Sequence, residues 1–389
     1  MRNFEYHTPT RLIFGKGVVE KLPEVLGALG NKVLFAYGGG SIRKNGLYAR
    51  VTELLKGFDV TELSGIEPNP KYSTSVLDGV RLCKEKGIEV ILAVGGGSVL
   101  DCSKAIAAGA LYDGEPWDLI TYKVPTKAAL PVVDIMTMAA TGSEYDSGGV
   151  ISRTETNDKV GYMDPHLFPV ASFIDPTYTF TVPNLQTAAG VADAMNHIYE
   201  QYFNAEPNDL ADGMMEAALK SLMKNVKIVL EAPGNYDARA EIFLNCSLAC
   251  NGIYSLGEAG SGWPMHAIEH ALSAYYDITH GIGLAIITPR WMYHVLNEQT
   301  LGRFVRYGVN VMGISPELPR HTIAKQSIEA TYRFFESIGI PMHLAEVGID
   351  ESRLREMAHH VAVNEGLDGK WVYAPLTEAD ILTILKNSL

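Results

Sequence analysis

The sequence predicts an α/β amino-terminal half, in which helices cover a parallel sheet, followed by an all-helical carboxy-terminal half. Three observations predict this fold class. Short apolar runs alternate with segments of helical spacing as far as about residue 180. Two of these runs end in the same word, Gly-Gly-Gly-Ser, and after Pro183 only helical periodicity remains. Buried strands that alternate with helices are typical of a parallel sheet covered on both faces.

The elements of the first half follow from two kinds of spacing. Short apolar runs bounded by turn residues predict strands, and apolar residues that recur every three or four positions predict helices. The predicted strands are 32–37, 58–63, 87–94, 131–138 and 170–175. The predicted helices are a stretch that reaches about Lys56, then 72–86 and 99–110.

The second half has prolines and glycines in the gaps between periodic segments, as helical proteins do. The predicted helices are 186–204, 208–231, 236–256, 263–274, 281–296, 319–338, 351–363 and 377–388. Because the strand signal stops near residue 180, we predict two domains, an α/β domain over 1–182 and an all-helical domain over 183–389.

The composition narrows the class of protein. The 389 residues carry 32 basic and 45 acidic side chains, a net charge of −13, so nucleic acid is not an expected partner. No apolar run approaches the roughly 18 residues that a membrane helix needs, and the start lacks a signal-peptide pattern. Four cysteines without a CxxC pair fit a reducing compartment. The sequence therefore predicts a cytoplasmic enzyme that binds neither nucleic acid nor membranes.

The two glycine words predict a phosphate-binding edge. Gly95-Gly96-Gly97-Ser98 joins a strand directly to a helix, and Asp101 and Lys104 lie in the first turns of that helix. Glycines let a phosphate approach the backbone, and a helix start favours a dianion. The pattern is not GxGxxG, so a tight turn without a ligand is the alternative for either word alone. Two such words at strand ends of one parallel sheet favour the ligand, because ligands bind at that edge.

Two further segments bear on this edge. Residues 137–144 offer short hydroxyls and a glycine to a diphosphate or ribose, although a polar capping loop is the alternative for this segment alone. The first glycine word, 38–41, is followed by Arg43 and Lys44 and by no carboxylate. An acidic residue there would repel a 2′-phosphate. The first word therefore favours NADP, without excluding NAD.

Histidines and carboxylates at helical spacing predict a metal site. Asp193 and His197 stand at i and i+4, and so do His266 and His270, with His280 ten residues further on. Such pairs share a helix face, with Cβ atoms about 5–6 Å apart. Imidazole and carboxylate suit Zn²⁺ or Fe²⁺. A polar contact on a helix is the alternative for either pair alone, and the spacing leaves open which histidines bind.

Long motifs in a fixed order carry a resemblance to a known family. They span nearly the whole chain: FEYHTPTRLIFGKG, YGGGSIRKNG, GIEPNP, AVGGGSVLDCSK, ATGSE, FIDPTYTFTVP, GVADAMNHIYEQY and the stretch from Trp263 to Gly283. The chain resembles the iron-containing (group III) alcohol dehydrogenase family, most closely its butanol dehydrogenase and broad-range NADPH-dependent aldehyde reductase branch. The resemblance implies a Rossmann-like dinucleotide-binding domain, an all-helical metal-binding domain, an architecture like that of dehydroquinate synthase, and a homodimer.

The same resemblance implies roles for individual residues. The implied metal ligands are Asp193, His197, His266 and His280, with His270 beside the metal as a proton relay or substrate contact. The residues that match cofactor-contacting positions are Gly38, Gly39, Ser41, Gly95, Gly96, Gly97, Ser98, Asp101, Thr137, Thr141, Ser143, Lys159 and Tyr178. Asp146 departs from the pattern of close relatives and would add a carboxylate near the nicotinamide.

The implied reaction is metal-dependent hydride transfer between NAD(P) and primary alcohols or aldehydes, with the metal, Fe²⁺ or Zn²⁺, polarising the carbonyl. One alternative is an NAD- and metal-dependent lyase of the dehydroquinate-synthase type. Its phosphate and carboxylate substrate needs several cations, and the segments around the metal motifs are poor in Lys and Arg. The other alternative is a non-catalytic dinucleotide sensor, which the filled ligand positions disfavour.

Overall fold

The chain forms two compact units in the computed structural model, which describes residues 1–204, 206–258, 262–369 and 372–389. The sheet unit consists of His7–Val182 and Pro233–Asn251, and the helical unit consists of Met1–Tyr6, Pro183–Ala232 and Gly252–Leu389. A helix near residue 240 therefore belongs with the sheet, whereas the sequence analysis assigns it to the second domain. The domain boundary after residue 182 stays a prediction.

A six-stranded parallel sheet forms the centre of the sheet unit. In chain order the strands are β1 (Arg11–Phe14), β2 (Lys32–Gly38), β3 (Asp59–Ile66), β4 (Val90–Gly95), β5 (Val132–Met136) and, after an antiparallel hairpin of β6 (Gly148–Arg153) and β7 (Asp158–Met163), β8 (Ala171–Ile174). Their order across the sheet is β1-β8-β5-β4-β2-β3. The predicted parallel sheet is confirmed.

Helices cover both faces of the sheet, because successive side chains of a strand point to opposite faces. The helices of this region are α1 (Leu22–Gly27), α2 (Ser41–Lys44), α3 (Leu47–Leu54), α4 (Leu77–Lys86), α5 (Gly97–Ala110) and α6 (Pro116–Ile120). On β2, Leu34 and Ala36 belong to one hydrophobic cluster, which α4, α5 and α6 complete. Phe35 belongs to the cluster on the other face, which α1, α2 and α3 complete.

The strand order places β2 and β4 side by side where the chain changes direction across the sheet. From β2 the chain continues to β3 at the edge, whereas from β4 it continues to β5 on the opposite side. Such a switch point opens a crevice outside the carboxyl ends of the strands, where ligands of open α/β sheets bind. Both glycine words lie there, since Tyr37 is in register with Val94 just before them.

The second half of the chain folds into helices, and no strand follows Val182 in its described part. These helices are α7 (Asn184–Tyr202), α8 (Asp209–Glu231), α9 (Tyr236–Ala249, in the sheet unit), α10 (Pro264–Tyr276), α11 (His280–Val295), α12 (Leu301–Asn310), α13 (Arg320–Ser337), α14 (Leu354–Asn364) and α15 (Glu378–Asn387). The predicted helical half is confirmed. No helix among the described residues combines the length and apolar character needed to cross a membrane.

The sequence analysis misses several elements. β1 has one buried residue in four, and the β6–β7 hairpin contains Gly148, Gly149 and Gly161, so neither gives a clear apolar run. Helix α12 is missed as well. The helix predicted over 236–256 ends earlier, at Ala249, because the chain turns at Gly252, whose φ of 86° is left-handed.

Candidate functional site

Four predicted metal ligands come from three helices and meet around one carboxylate oxygen. Asp193 and His197 lie one turn apart on α7, and Nε2 of His197 is 3.5 Å from Oδ1 of Asp193. The same oxygen is 3.8 Å from Nε2 of His266, in the first turn of α10. It is 3.7 Å from Nε2 of His280, which begins α11. The structure thus brings together all four residues that the family resemblance implies.

Three atoms of this cluster lack the partners that buried polar atoms normally have. Oδ1 of Asp193, Nδ1 of His197 and Nε2 of His266 are buried, and none of them has a hydrogen-bond partner among the described residues. Leaving such an atom unpaired costs about 1–3 kcal/mol. The ligand-capable atoms of Asp193, His266 and His280 lie within 4.8 Å of one another. A carboxylate with imidazoles is a donor set that Fe²⁺ and Zn²⁺ accept, so these residues fit a divalent metal.

Two buried glutamates orient the histidines from behind. Oε1 of Glu200 accepts hydrogen bonds from the backbone N–H of His266 at 2.8 Å and from its Nδ1 at 3.2 Å. Glu269 accepts from Nδ1 of His280 and from the hydroxyl of Ser273. These bonds direct each Nε2 toward the cluster, as carboxylate–histidine–metal arrangements do. Neither glutamate is predicted from the sequence, although each stands three residues after a predicted histidine ligand.

Burial and charge act on the cluster in opposite directions. Burial alone raises the pKa of Asp193, but the imidazoles of His197, His280 and His266 outweigh it and bring that pKa below its ordinary value. Burial lowers the pKa of His197 to about 3, so its imidazole is neutral, the form that binds metals. Burial also acts to lower the pKa of His266, yet the neighbouring carboxylates of Asp193 and Glu200 prevail and raise it to about 9.

His270 lies beside the cluster, one turn after His266 on α10. Its ring centroid is 5.5 Å from that of His280 and 6.2 Å from that of His266. The ligand-capable atoms of His270, Glu269 and His280 also lie within 4.8 Å of one another. Glu269 already accepts hydrogen bonds from His280 and Ser273, which fits an orienting role better than a second metal site. The role of His270 stays a prediction.

Trp263, immediately before α10, covers one side of the cluster. Its indole meets the rings of His197 and His266 edge-on, with centroids 5.8 Å and 5.2 Å apart. Its φ of 52° is one that bulky residues rarely adopt. Such backbone strain persists where the surroundings enforce it, and it is concentrated at functional sites. The sequence analysis attaches no role to this residue.

The second candidate site lies at the carboxyl ends of β2 and β4. The predicted residues at this edge are Gly38, Gly39 and Ser41 after β2, and Gly95, Gly96, Gly97 and Ser98 where β4 passes into α5. Gly96 precedes α5 and provides no side-chain cap. The first N–H groups of a helix have no partner within the helix and attract anions. The backbone here therefore fits a diphosphate.

Close packing requires two of these glycines, and open space surrounds a third. A Cβ on Gly97 would lie 2.5 Å from Oγ1 of Thr141, and one on Gly95 would lie 2.5 Å from Cγ2 of Val99. A Cβ on Gly39 would meet no described atom within 4 Å. Contacts within the protein thus require glycine at positions 95 and 97, whereas the space beside Gly39 is open to a ligand.

The segment between β5 and β6 runs beside the second glycine word. The N–H of Thr137 donates to the carbonyl of Gly95 at 2.9 Å. Oγ1 of Thr141 accepts from the N–H of Ser143 at 3.2 Å. The hydroxyl of Ser143 points inward and donates to Oδ1 of Asp101 at 2.7 Å. The structure therefore groups these four predicted residues around the start of α5.

Lys159 and Tyr178 lie elsewhere in the sheet unit. Lys159 is buried on β7, opposite Ser152 of β6. Tyr178 follows β8 and packs against the cluster that contains Phe35, where burial raises its pKa to about 12. The cofactor contacts of both residues stay predictions.

A carboxylate lies near the first glycine word, where the sequence analysis expects none. Glu62 on β3 accepts hydrogen bonds from the hydroxyls of Tyr37 at 2.5 Å and Tyr48 at 2.9 Å. Its Oε2 is 3.8 Å from Nη2 of Arg43. The expectation fails because the carboxylate comes from the neighbouring strand, not from the residues that follow β2. Arg43, on which the NADP preference partly rests, is thus paired with an acid.

Asp146 is engaged inside the sheet unit. Its buried carboxylate accepts from Nζ of Lys104 at 2.9 Å and from the N–H of Gly148 at 2.8 Å. The sequence places this acid near the nicotinamide end, where an extra carboxylate would alter the choice of substrate, and leaves its role open. An interior ion pair accounts for it without any substrate.

Known proteins resemble this chain over its full length. The family profile described as iron-containing alcohol dehydrogenase matches residues 9–176, and the profile of the C-terminal part of that family matches residues 187–389. NADH-dependent butanol dehydrogenase A of Clostridium acetobutylicum is 46% identical over 391 residues, which cover 100% of both chains. NADPH-dependent aldehyde reductase YqhD of Escherichia coli is 39% identical over 359 residues, 91% of each chain.

A solved structure agrees with these sequence matches. The crystal structure of NADH-dependent butanol dehydrogenase A from Thermotoga maritima has a TM-score of 0.95 and 38% identity, and the match covers 100% of this chain and 99% of that one. The chain is therefore an oxidoreductase that belongs to the iron-containing alcohol dehydrogenase family.

Proposed function

We propose that this protein is a metal-dependent, NAD(P)-linked alcohol dehydrogenase that reduces aldehydes of butanal size and oxidises the corresponding primary alcohols. The observation that carries the proposal is the convergence of His197, His266 and His280 on one oxygen of Asp193. The relatives named butanol dehydrogenase and aldehyde reductase support the class of substrate. No comparison supports the lyase or the sensor.

The helical unit supplies the residues that would bind the metal. Asp193, His197, His266 and His280 would hold Fe²⁺ or Zn²⁺. When bound, the metal polarises the aldehyde carbonyl, and the nicotinamide supplies the hydride. Glu200 and Glu269 hold two of the imidazoles in a fixed orientation, so little rearrangement accompanies binding. Trp263 packs edge-on against the rings of His197 and His266.

His270 is the proposed proton carrier. An aldehyde that accepts a hydride must also gain a proton, and an imidazole nitrogen can donate and accept one. Its place one turn after His266 puts it beside the ligands without making it one of them.

The choice between NADPH and NADH depends on two opposed charges at the first glycine word. Arg43 favours the 2′-phosphate of NADPH, as the sequence analysis predicts. Glu62, 3.8 Å from Arg43, opposes it. The relatives include both NADH-dependent and NADPH-dependent enzymes. The ratio of kcat/KM for the two dinucleotides decides which charge prevails.

The quaternary and cellular assignments are also part of the proposal. The family resemblance supports a homodimer, which sedimentation equilibrium tests. The four cysteines, none of which is in a disulfide, support a cytoplasmic location, which cell fractionation tests.

The deciding experiment is reduction of butanal by NADPH or NADH with metal-stripped protein to which Fe²⁺ or Zn²⁺ is added back. We expect oxidation of the dinucleotide only when metal is present, and its loss in a His280→Ala variant. Equal turnover with and without metal would contradict the role of the cluster. Dinucleotide binding without net oxidation, on any aldehyde, would favour the lyase or the sensor.

A further inference from the structure

Lys104 has an unusual position for a lysine. It lies on α5, two turns after Gly97, and its side chain is 0% exposed. Lysines are almost never fully buried unless they are paired, because an isolated buried ammonium is costly. The hydrogen-bond partners of Lys104 therefore indicate the structural role of its buried ammonium.

Among the residues that the structure describes, every hydrogen-bond partner of this ammonium comes from one short segment. Nζ lies within hydrogen-bond distance of the carbonyls of Ser143 (2.7 Å), Asp146 (3.0 Å) and Gly148 (2.6 Å). It also reaches the hydroxyl of Ser143 at 3.0 Å and Oδ1 of Asp146 at 2.9 Å. Because three of these oxygens are backbone carbonyls, the ammonium constrains the path of residues 143–148 as well as balancing a charge.

The hydrogen bonds of two nearby acids indicate that both are protonated, so neither balances the positive charge of Lys104. The hydroxyl of Ser172 is 2.6 Å from both Oδ2 of Asp134 and the carbonyl of Glu144. It has one proton to donate, so Asp134 supplies the other and is protonated. The hydroxyl of Ser247 lies likewise between Oε1 of Glu144, at 2.5 Å, and the carbonyl of Phe243, at 3.0 Å, so Glu144 is protonated too.

Burial raises the pKa of Asp134 well above its ordinary value and that of Glu144 to about 7, which agrees with this count. The acids left to balance Lys104 are Asp146 and Asp101. Asp101 accepts from the hydroxyl of Ser143 and from the N–H of Val150, as a carboxylate does.

The segment that Lys104 constrains is continuous with the predicted cofactor contacts. Before it, Thr137 bonds to Gly95 and Thr141 packs against Gly97. After it, Gly149 lies so close to α5 that a Cβ there would be 3.2 Å from Cα of Asp101. Residues 137–149 are therefore held at one end against Gly95 and the start of α5 and at the other end against Asp101 of α5, with the contacts of Lys104 between them.

We propose that Lys104 is a positioning residue for the dinucleotide. By holding residues 143–148 against α5, its ammonium fixes Thr137 and Thr141 beside the turn at Gly95–Ser98. The ammonium does not itself contact a phosphate of the dinucleotide, because protein oxygens surround it. The inference rests on the proposed function in one respect, that this turn binds NAD(P).

The test compares Lys104→Met with Lys56→Met, a control that changes a lysine of the same unit with a 71% exposed side chain. The first measurement is hydrogen exchange of amides 137–150 without dinucleotide, which we expect to be severalfold faster in Lys104→Met alone. The second is the Kd for NADPH and NADH, which we expect to rise about tenfold or more, as misplaced contacts do. Metal content should stay at the wild-type level, because the predicted ligands lie in the helical unit.

A second variant separates positioning from stability. Lys104→Met leaves the carboxylate of Asp146 buried without its cation, which is strongly destabilising. The double variant Lys104→Met/Asp146→Asn removes that charge, so it should recover much of the lost Tm while keeping the fast exchange and weak dinucleotide binding. Wild-type exchange and wild-type Kd in the double variant would overturn the proposal. If the unaltered protein binds neither dinucleotide, the proposed function fails, and the exchange measurement still decides whether Lys104 holds the segment.

Discussion

The cluster around Asp193 and the turn at Gly95–Ser98 are built by opposite means for the two ligands that we propose, a metal ion and a dinucleotide phosphate. Around Asp193, four side chains from three helices converge, and buried glutamates fix their orientation. At Gly95–Ser98, side chains are absent where the backbone must bend closely and present its N–H groups. A cation needs lone pairs, which side chains supply, whereas a phosphate needs donors, which the backbone supplies. Substitutions should therefore affect the two sites by different routes.

The largest expected effect is loss of the central carboxylate. Asp193→Asn removes the charge around which the histidines gather. Metal content should fall with it, and kcat/KM should drop by more than the about 10–100-fold typical of changes behind the ligands. The Kd for the dinucleotide should not change. Asp209→Asn, at a fully exposed position of the same unit, is the control. Normal metal content in Asp193→Asn would show that metal binding does not need this carboxylate and would contradict the prediction.

A smaller effect is expected one layer behind the ligands. Glu200→Gln keeps an acceptor for His266 but loses the charge that supports its imidazole. Metal affinity, measured by competition with a chelator, should weaken by about 10–100-fold. Glu269→Gln should act similarly through His280. If neither variant changes metal affinity, the glutamates serve only to pack the interior.

At the glycine turns, two alanine variants separate packing from ligand space. Gly97→Ala places a Cβ against Thr141 and should lower the stability by about 1–3 kcal/mol. Gly39→Ala adds a methyl group where nothing described lies within 4 Å, so its thermal unfolding should match the wild type. Any loss of dinucleotide binding in Gly39→Ala then reports on ligand contact. Equal melting temperatures for the two variants would show that Thr141 yields at little cost.

The smallest expected effect concerns Glu144, which lies within the segment 143–148 that Lys104 holds. Burial raises its pKa to about 7, above the ordinary value of about 4.3. Between these values the folded state keeps a proton that the unfolded state has lost, so stability falls as pH rises. Glu144→Gln keeps a donor for Ser247 and does not titrate. Denaturant unfolding at pH 5 and pH 8 should show the variant gaining on the wild type at the higher pH, and a pH-independent difference would contradict this.

The sequence reveals the metal ligands more completely than their surroundings. Asp193 with His197, and His266 with His270, are visible because a helix places i and i+4 on one face. His280 stands ten residues further on, the resemblance assigns it to the ligand set, and the structure brings the set together. Glu200 and Glu269 are missed because an orienting carboxylate leaves no spacing rule of its own.

The dinucleotide edge shows the opposite pattern. Its glycines and strand ends are plain in the sequence, and the parallel sheet that holds them is predicted correctly. Glu62 escapes notice because it reaches Arg43 from a neighbouring strand, a contact set by sheet order. The role of Asp146 stays open in the sequence because nothing there shows that the ammonium of Lys104 is buried beside it.

The return of α9 to the sheet unit has a consequence during synthesis. The residues of the sheet unit up to Val182 are synthesised before Pro233–Asn251. Until then Glu144 has no Ser247, and the cluster beneath the sheet lacks Phe243. At about 5–20 residues per second, this gap lasts several seconds. The amino-terminal part of the sheet unit therefore lacks α9 while the first helices of the helical unit are being synthesised. We expect the folding of the two units to overlap in time for this reason.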